Sequence, residues 1–208
     1  MKRFLDIFLA IFFLILTIPL FIVIIITIKC SSKGPIFYSD NRFKKNFQTF
    51  SCYKFRTMHI NAQDLLWNIL ESKPELKKEW LIYQKLKNDP RITKIGAFLR
   101  KTSLDELPQL WNVLKGDMSL VGPRPYVLFG SSKDKKKDLI SLYGKEIETI
   151  LSFKPGLTGL WQVSGRNSLP IEKRILLDLE YVKNHSLKKD LEIILKTLPE
   201  IFYSKGAY

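Results

Sequence analysis

The sequence predicts a mainly helical α+β fold, with an N-terminal re-entrant membrane helix, a short β-hairpin and amphipathic interfacial helices around a site at the membrane surface. Three observations support this prediction. Residues 7–28 carry no charged side chain. Residues 29–58 alternate apolar or aromatic positions with polar ones, which is typical of paired strands. Several later segments place apolar residues at helical spacing.

The composition limits the kinds of partner and of site that the protein can have. The chain of 208 residues carries 34 Lys and Arg against 20 Asp and Glu, a net charge of +14. A hydrophobic content of 46% and an aromatic content of 12% exclude a disordered chain. The positive charge favours anionic partners such as phospholipid head groups, nucleic acid or phosphorylated substrates. Two cysteines, Cys30 and Cys52, exclude a disulfide framework and a zinc site built on paired CxxC motifs.

The apolar N-terminal run contains 22 residues, about 33 Å as a straight helix, which is enough to cross a bilayer core. Pro19 removes a backbone hydrogen bond near its middle, and Thr17 can bond to groups that a kink frees, so we expect a break near Thr17–Pro19. Basic residues flank both ends of the run, namely Lys2, Arg3, Lys29 and Lys33. Because positive charge prefers the cytoplasmic side, a re-entrant helix is favoured; a plain kinked span is the alternative.

The other elements follow in order, and the chain divides into a membrane helix at residues 1–30 and a folded domain at 31–208. A hairpin is predicted within 29–58, with Asn46 near its turn. Apolar periodicity predicts helices over 61–87, interrupted at Pro74, and over 103–115, 171–184 and 187–198. The last helix is basic and amphipathic, so it either lies on a membrane surface or packs on the core.

Residues 103–111 read SLDELPQLW and contain the acidic pair Asp105 and Glu106. Ser103 and Glu106 fit an S-x-x-E capping box, and acidic residues at a helix start complement the helix dipole. Pro108 indicates that the helix begins at or after Asp105, because proline is tolerated in a first turn. Taken alone, the pair is explained by helix capping.

The neighbouring charges favour chemistry on phosphate instead. A helix N-terminus offers free N–H groups to phosphate, and Arg100 and Lys101 lie just before this one. Arg124 lies in a stiff Pro-Arg-Pro turn. One carboxylate can attack phosphorus or hold Mg²⁺ while arginines neutralise phosphate oxygens, and the positive charge keeps the carboxylate ionised. These residues support phosphate chemistry without naming a substrate.

With these motifs, the sequence resembles the bacterial sugar transferases, the monotopic polyprenyl-phosphate phosphoglycosyl transferases. The resemblance runs through almost the whole chain. It rests on long motifs in the family's order, namely KRFLD (2–6), GPIFYSDNR (34–42), YKFRTM (53–58), DPRITKIGAFLRKTSLDELPQLWNVLKGDMSLVGPRP (89–125), PGLTGLWQVSGRN (155–167) and LDLEYVKN (177–184).

The resemblance implies a re-entrant helix and a catalytic domain on the cytoplasmic face of the bacterial inner membrane, in contact with its phospholipid. It implies Mg²⁺-dependent, two-step transfer of sugar-1-phosphate from a UDP-sugar, with galactose or glucose favoured, to undecaprenyl phosphate. UMP is released, and the product enters O-antigen, capsule or other exopolysaccharide synthesis. The sequence permits a homodimer. Nucleic acid is not expected as a partner, because no stripe of aromatic residues is interleaved with the basic ones.

The resemblance also implies roles for individual residues. Asp105 falls on the nucleophile of the family's Asp-Glu dyad and Glu106 on its partner, and both are candidate Mg²⁺ ligands. Residues expected to meet phosphate are Arg100, Arg124, Lys54 and Arg56. Residues expected to meet the nucleotide are Pro155, Gly156, Thr158, Gln162, Gly165 and Arg166. No catalytic role is expected for His59, His185, Cys30 or Cys52, because a hard-cation carboxylate site does not need them.

The chain departs from the family pattern at residues 42–48, RFKKNFQ, where many members have two glycines, so we expect an altered hairpin turn. The insertion at 79–93 and the ending GAY at 206–208 most resemble the subfamily that transfers galactose-1-phosphate to undecaprenyl phosphate. Some members carry an additional N-terminal membrane bundle. This chain starts at the catalytic core, so that bundle is not expected here.

Overall fold

The structure is a computed structural model that describes residues 1–83, 86, 88–127, 135–166 and 169–203. The ending GAY and part of the insertion at 79–93 lie outside these residues. The described elements are, in chain order, α1 (Lys2–Ser31), β1 (Phe37–Phe43), the 3₁₀ turn η1 (Lys45–Phe47), β2 (Thr49–Phe55), α2 (Ala62–Ser72), α3 (Pro74–Tyr83), α4 (Lys94–Lys101), the 3₁₀ turn η2 (Leu104–Glu106), α5 (Gln109–Lys115), β3 (Ser119–Val121), α6 (Lys135–Tyr143), α7 (Glu146–Ile150), β4 (Gly156–Thr158), α8 (Leu160–Val163), α9 (Ile171–Lys183) and α10 (Leu187–Tyr203). The predicted mainly helical α+β class is confirmed.

Strands β1 and β2 form the predicted antiparallel hairpin, with Phe37 opposite Phe55 and Phe43 opposite Thr49. Its turn contains Asn46, as expected, and both Asn46 and Phe47 adopt a left-handed φ of 58°. Asparagine tolerates this conformation, but it is strained for a bulky phenylalanine. The turn therefore closes without the glycines that many members of the resembled family have here.

A second, parallel strand pair was not predicted. Strands β3 and β4 pair Ser119 with Gly156 and Val121 with Thr158. A Cβ built on Gly156 would lie 2.1 Å from the backbone nitrogen of Gly122, so only glycine permits this approach. Strands of three residues are too short for a period-two pattern, which explains why the sequence did not reveal them.

The prediction that the N-terminal helix breaks near Thr17–Pro19 is wrong. Helix α1 continues from Lys2 to Ser31 with Pro19 inside it. Thr17 donates its hydroxyl to the carbonyl oxygen of Phe13 at 2.6 Å. A proline removes one helical hydrogen bond, and the bonds before and after it suffice to continue the helix.

Both ends of α1 are hydrogen-bonded to the same folded domain. At the start, Arg3 donates to the carbonyl oxygen of Val113 at 2.6 Å. At the end, Arg56 donates to the carbonyl oxygens of Ser32 and Lys33 at 2.9 and 2.6 Å. A plain span would hold its ends on opposite sides of a bilayer about 30 Å thick. Both ends of α1 therefore contact the same folded domain, and the re-entrant topology stays a prediction.

One face of α1 packs against the domain, and the other exposes an apolar stripe. Buried Ala10 lies in the main core with residues of β2, α5, β3, α9 and α10, while Ile24 and Ile28 pack with Phe55 and Leu99. Among the described residues, α1 is the helix long and apolar enough to cross a membrane. The exposed stripe comprises Phe4, Phe8, Ile11, Phe12, Ile15, Leu16, Ile18, Ile22, Val23 and Ile26.

Helix α10 combines the two alternatives considered for the last helix. Asp190 and Ile193 are buried, so one face packs on the core. Leu191, Leu195 and Leu198 are exposed along another face. The helix is therefore a core helix that also presents leucines outward, and such a face suits an apolar surface.

Candidate active site

The acidic pair lies in a 3₁₀ turn rather than in the first turn of an α-helix. Residues Leu104–Glu106 form η2, and α5 begins at Gln109. Ser103 adopts a left-handed φ of 57°, and its hydroxyl accepts a hydrogen bond from Arg166 at 2.9 Å. The predicted capping box is wrong, because Ser103 makes no side-chain cap and the Glu106 carboxylate bonds to cations instead.

Glu106 is held by two cations that come from separate parts of the fold. Lys54, on β2, donates to Oε1 of Glu106 at 2.9 Å. Arg124, which follows β3, donates to Oε1 at 2.8 Å and to Oε2 at 3.3 Å. Burial acts to raise the pKa of Glu106, but the charges and hydrogen bonds of Arg124 and Lys54 hold it well below its usual value. Glu106 is therefore an ionised, immobilised carboxylate.

Asp105 is buried, with 7% of its surface exposed, yet its carboxylate has no hydrogen bond or ion pair within the described part of the chain. Burial raises the pKa of Asp105 to about 6; Glu106 adds to this rise, and Lys54, Arg100 and Arg124 oppose it. The effect of burial on this pKa therefore outweighs that of the positive charges, which were expected to keep the carboxylate ionised. At pH 7 the ionised form still predominates by roughly ten to one. The dyad therefore contains one bound carboxylate and one uncommitted carboxylate.

Arg100, near the end of α4, is a further cation whose charge acts on Asp105. Its Nε donates to the hydroxyl of Thr57 at 2.9 Å. Burial lowers the pKa of Arg100, and the charge of Asp105 opposes this most strongly. Its Nη1 and Nη2 atoms find no acceptor among the residues described, so they are available to an anion.

Arg124 is held by side chains that the sequence analysis did not select. Its guanidinium lies 5.4 Å from the ring centre of Trp161. Arg174 donates to the carbonyl oxygen of Arg124 at 3.0 Å and lies 4.1 Å from the ring centre of Tyr126. Tyr126 in turn donates to Asp178 at 2.9 Å. In the sequence, Arg174 and Asp178 are four residues apart, a spacing that places them on the same face of a helix. This spacing was the clue that the sequence offered.

Arg56 does not share the contacts of Lys54. It is buried, and it donates to the carbonyl oxygens of Ser32 and Lys33 and to the Ser32 hydroxyl. In this structure Arg56 anchors the end of α1, because its donors are occupied there. Its expected contact with phosphate stays a prediction.

The segment expected to bind nucleotide reaches the dyad at two points, through Trp161 beside Arg124 and through Arg166 bonded to Ser103. The other residues of this segment contact the rest of the fold. The Pro155 carbonyl oxygen accepts from the Ser119 N–H, Gly156 packs on Gly122, and the Thr158 hydroxyl bonds to Thr197. Gly165 has a positive φ of 135° in the loop after α8. The buried amide of Gln162 has no hydrogen-bond partner among the described residues.

The expected magnesium ion stays a prediction, and the dyad can offer it one uncommitted carboxylate. In the part of the chain that the structure describes, no group of three or more His, Cys, Asp or Glu side chains could hold a metal. Magnesium is commonly bound through one or two carboxylates together with substrate phosphates and water. Asp105 offers an uncommitted carboxylate, whereas both oxygens of Glu106 already face cations.

Cys52 lies beside the dyad, in a small cavity lined in part by Lys54, Glu106 and Arg124. Burial raises the pKa of the Cys52 thiol to about 11, so the thiolate is scarce at neutral pH. Cys30 is exposed, and His185 packs edge-on against Phe153. The absence of a catalytic role for these residues and for His59 stays a prediction.

Comparisons with known proteins identify relatives over the whole chain. The family model described as bacterial sugar transferase matches residues 1–204. The exopolysaccharide production protein ExoY of Sinorhizobium fredii is 45% identical over 207 residues, covering 100% of this chain and 88% of the relative. The undecaprenyl-phosphate galactose phosphotransferase of Salmonella typhimurium is 46% identical over 208 residues. The UDP-glucose:undecaprenyl-phosphate glucose-1-phosphate transferase of Escherichia coli is 36% identical over 213 residues.

The two phosphotransferases are longer proteins. All of this chain aligns with each of them, but it spans 42% of the length of the Salmonella protein and 41% of the length of the Escherichia protein. The similarity therefore concerns one part of each of these relatives.

Proposed function

Since the chain belongs to the bacterial sugar transferase family, we propose that it transfers a sugar-1-phosphate from a UDP-sugar to undecaprenyl phosphate. UMP and undecaprenyl-diphosphate-sugar are the products, and the reaction begins the membrane stage of O-antigen, capsule or other exopolysaccharide synthesis. The observation that carries this proposal is the asymmetry of the dyad: Glu106 is bound by Lys54 and Arg124, and Asp105 is uncommitted.

Asp105 is the nucleophile in this proposal. One of its carboxylate oxygens attacks the sugar-bearing phosphorus of the UDP-sugar, and the bond from that phosphorus to the bridging oxygen breaks. UMP leaves with the electron pair. A phosphate oxygen of undecaprenyl phosphate then attacks the same phosphorus, the acyl-phosphate bond breaks, and the Asp105 carboxylate is regenerated. Two anionic substrates are thereby handled one at a time at a single site.

The cations around the dyad serve the phosphate groups. Arg100 has free guanidinium N–H groups. The Arg124 guanidinium is fixed beside the dyad by Glu106 and Trp161, and Arg174 holds its carbonyl oxygen. A preorganised cation stabilises the negative charge that develops during phosphoryl transfer without reorganising as the reaction proceeds. Glu106 keeps Lys54 and Arg124 in place. Mg²⁺, held by Asp105 and substrate phosphate, would neutralise phosphate charge when bound.

The apolar stripe of α1 supports insertion into the cytoplasmic leaflet of the inner membrane. Both ends of α1 bond to one domain, so a re-entrant helix satisfies the contacts and keeps its basic flanks on the same side. The dyad then lies near the head groups, where the lipid acceptor arrives laterally. Phospholipid surrounds the inserted helix.

Galactose is the sugar we favour, and glucose is the second candidate. The galactose phosphotransferase of Salmonella typhimurium is 46% identical to the chain, and the glucose-1-phosphate transferase of Escherichia coli is 36% identical. Incubation of the purified chain with several UDP-sugars, Mg²⁺ and undecaprenyl phosphate, with UMP measured, identifies the donor.

The covalent step is tested without the lipid acceptor. Wild-type protein and UDP-galactose are expected to release a burst of UMP and to form an adduct of one hexose phosphate on Asp105, detectable by mass spectrometry of the intact protein and its peptides. Asp105→Asn is expected to lose both the burst and the adduct. The matched control Asp64→Asn, on exposed α2, keeps both. Native UMP release by Asp105→Asn would overturn the mechanism.

A further inference from the structure

A cavity of about 410 Å³ lies away from the dyad, where the first turn of α1 meets the hairpin turn and the loop before β4. Its lining includes four cationic side chains and one carboxylate, namely Lys2, Arg3, Lys45, Lys154 and Asp6. None of Asp105, Glu106, Arg100 and Arg124 lines it. The cavity is therefore separate from the candidate active site.

The single carboxylate of the cavity does not balance the charge of its four cations. Asp6 accepts hydrogen bonds from the Ser119 hydroxyl and the Leu120 N–H at 3.0 Å each through Oδ1. Lys2 is paired outside the cavity lining, with Asp190 at 2.5 Å. This leaves the exposed Lys45 and Lys154, which have no ion pair among the described residues.

Two of the cations approach one another. A Cβ built on Gly116 would lie 3.3 Å from Nη2 of Arg3 and 3.6 Å from Nζ of Lys154, so both groups flank the same point. Burial lowers the pKa of Lys154, and the nearby charge of Arg3 lowers it further, while the charges of Asp6 and Asp117 oppose this shift. Like charges at this separation are unfavourable in the protein alone, and an anion between them would relieve the repulsion.

The surroundings of the cavity are amphipathic. Phe153 contributes to its lining. Phe4 and Phe8, one turn apart on α1, are 75% and 60% exposed. An occupant with a phosphate group and an acyl chain could place the phosphate among the cations and the chain along the apolar stripe of α1. Because the cavity begins where the apolar helix begins, it lies at head-group depth when α1 is inserted.

We propose that this cavity binds the phosphate group of an anionic membrane phospholipid, held by Lys45, Lys154 and Arg3. The lipid would fix the N-terminal end of α1 on the domain and set the depth of the domain at the membrane. Free phosphate shares the same chemistry, but it lacks the acyl chain that the exposed phenylalanines would contact.

The test uses the full chain in a neutral detergent, with melting temperature followed by intrinsic fluorescence. Three probes are titrated separately: dihexanoyl phosphatidic acid, dihexanoyl phosphatidylcholine and inorganic phosphate. Lys45→Gln/Lys154→Gln removes the two unpaired cations. Lys77→Gln/Lys78→Gln, on the exposed surface of α3, removes the same charge elsewhere. Lys45→Arg/Lys154→Arg keeps the charge and guards against a folding defect of the glutamine variant.

We expect a saturable rise in melting temperature with phosphatidic acid for the wild type, the α3 control and the arginine variant. The midpoint for Lys45→Gln/Lys154→Gln should be weaker by roughly tenfold or more, since two basic groups near the lipid phosphate are lost. An equal response to phosphatidylcholine or to inorganic phosphate would overturn the anionic lipid as occupant. An unchanged midpoint in the glutamine variant would overturn the site. Because the readout is lipid binding, failure here is distinguishable from failure of sugar transfer.

Discussion

Arg124 donates to both carboxylate oxygens of Glu106, at 2.8 and 3.3 Å, and this two-point contact fixes the guanidinium beside Asp105. Arg124 is thereby one of the cations whose charge opposes the rise in the pKa of Asp105. The contact links the Pro-Arg-Pro turn at residues 123–125 to the 3₁₀ turn that contains the dyad. It explains why a residue 19 positions from the nucleophile belongs to the same site.

Replacement of Arg124 by lysine should lower turnover by about 10²–10³, because a lysine keeps the charge but cannot form the planar fork. Arg100→Lys should also lower turnover, since its free N–H groups are lost. The measurement is UMP release with both substrates present, and the melting temperature of each variant should change little. Normal rates for both variants would refute their assignment to phosphate.

Arg174 is expected to act through Arg124, whose carbonyl oxygen it binds at 3.0 Å. Arg174→Lys should lower kcat by about tenfold, because lysine loses the planar stacking on Tyr126 and Trp161. The double variant Arg174→Lys/Arg124→Lys should be no slower than Arg124→Lys alone, since coupled positions are non-additive. Independent, multiplying effects would assign Arg174 a separate role.

Asp105→Asn should raise the melting temperature at pH 7.5 by roughly 2–6 °C while it abolishes turnover. The folded-state pKa of Asp105 is raised to about 6 from the ordinary 3.8. The stability contributed by the protonated carboxyl is therefore present below pH 3.8 and lost as pH rises through 6. The asparagine amide is neutral at every pH, so its advantage over wild type should disappear near pH 4. A constant difference between pH 4 and 7.5 would contradict this origin.

The rate of the UMP burst should fall as pH decreases through about 6, since protonated Asp105 cannot attack phosphorus. Well below this pH we expect about a tenfold loss for each pH unit. Lys54 is the cation that most opposes the raised pKa of Asp105, so in Lys54→Gln the acid limb should move to higher pH. If the acid limb lay near pH 4 and did not move in Lys54→Gln, Asp105 would not control the rate.

Labelling of single cysteines tests the orientation of α1 in a Cys30→Ser/Cys52→Ser background, which should keep turnover within a few-fold. We expect Lys2→Cys and Lys33→Cys to react with a membrane-impermeant reagent from the cytoplasmic side, like the domain reference Lys77→Cys. Pro19→Ala should restore the backbone hydrogen bond that proline removes and bias the helix toward a span. Reaction of Lys2→Cys and Lys33→Cys from opposite sides would establish a plain span.

Local patterns in the sequence determined the class of most elements. The uncharged run predicted α1, alternation around Asn46 predicted the hairpin, and helical periodicity predicted α9. These predictions succeeded because burial of a strand or helix face imposes a repeat of two or 3.6 residues. The acidic pair and Arg124 were also recognisable, because Arg100 and Lys101 precede the pair and Arg124 lies in a stiff Pro-Arg-Pro turn.

Tertiary structure decided which of these charged residues meet. Nothing in the local sequence distinguishes Lys54, which reaches Glu106, from Arg56, which anchors the end of α1. The two carboxylates of the dyad are adjacent in the chain, yet their pKa values shift in opposite directions. The physical reason is that hydrogen bonds to Lys54 and Arg124 reach one side chain and burial without such partners governs the other, and both conditions depend on contacts far apart in sequence.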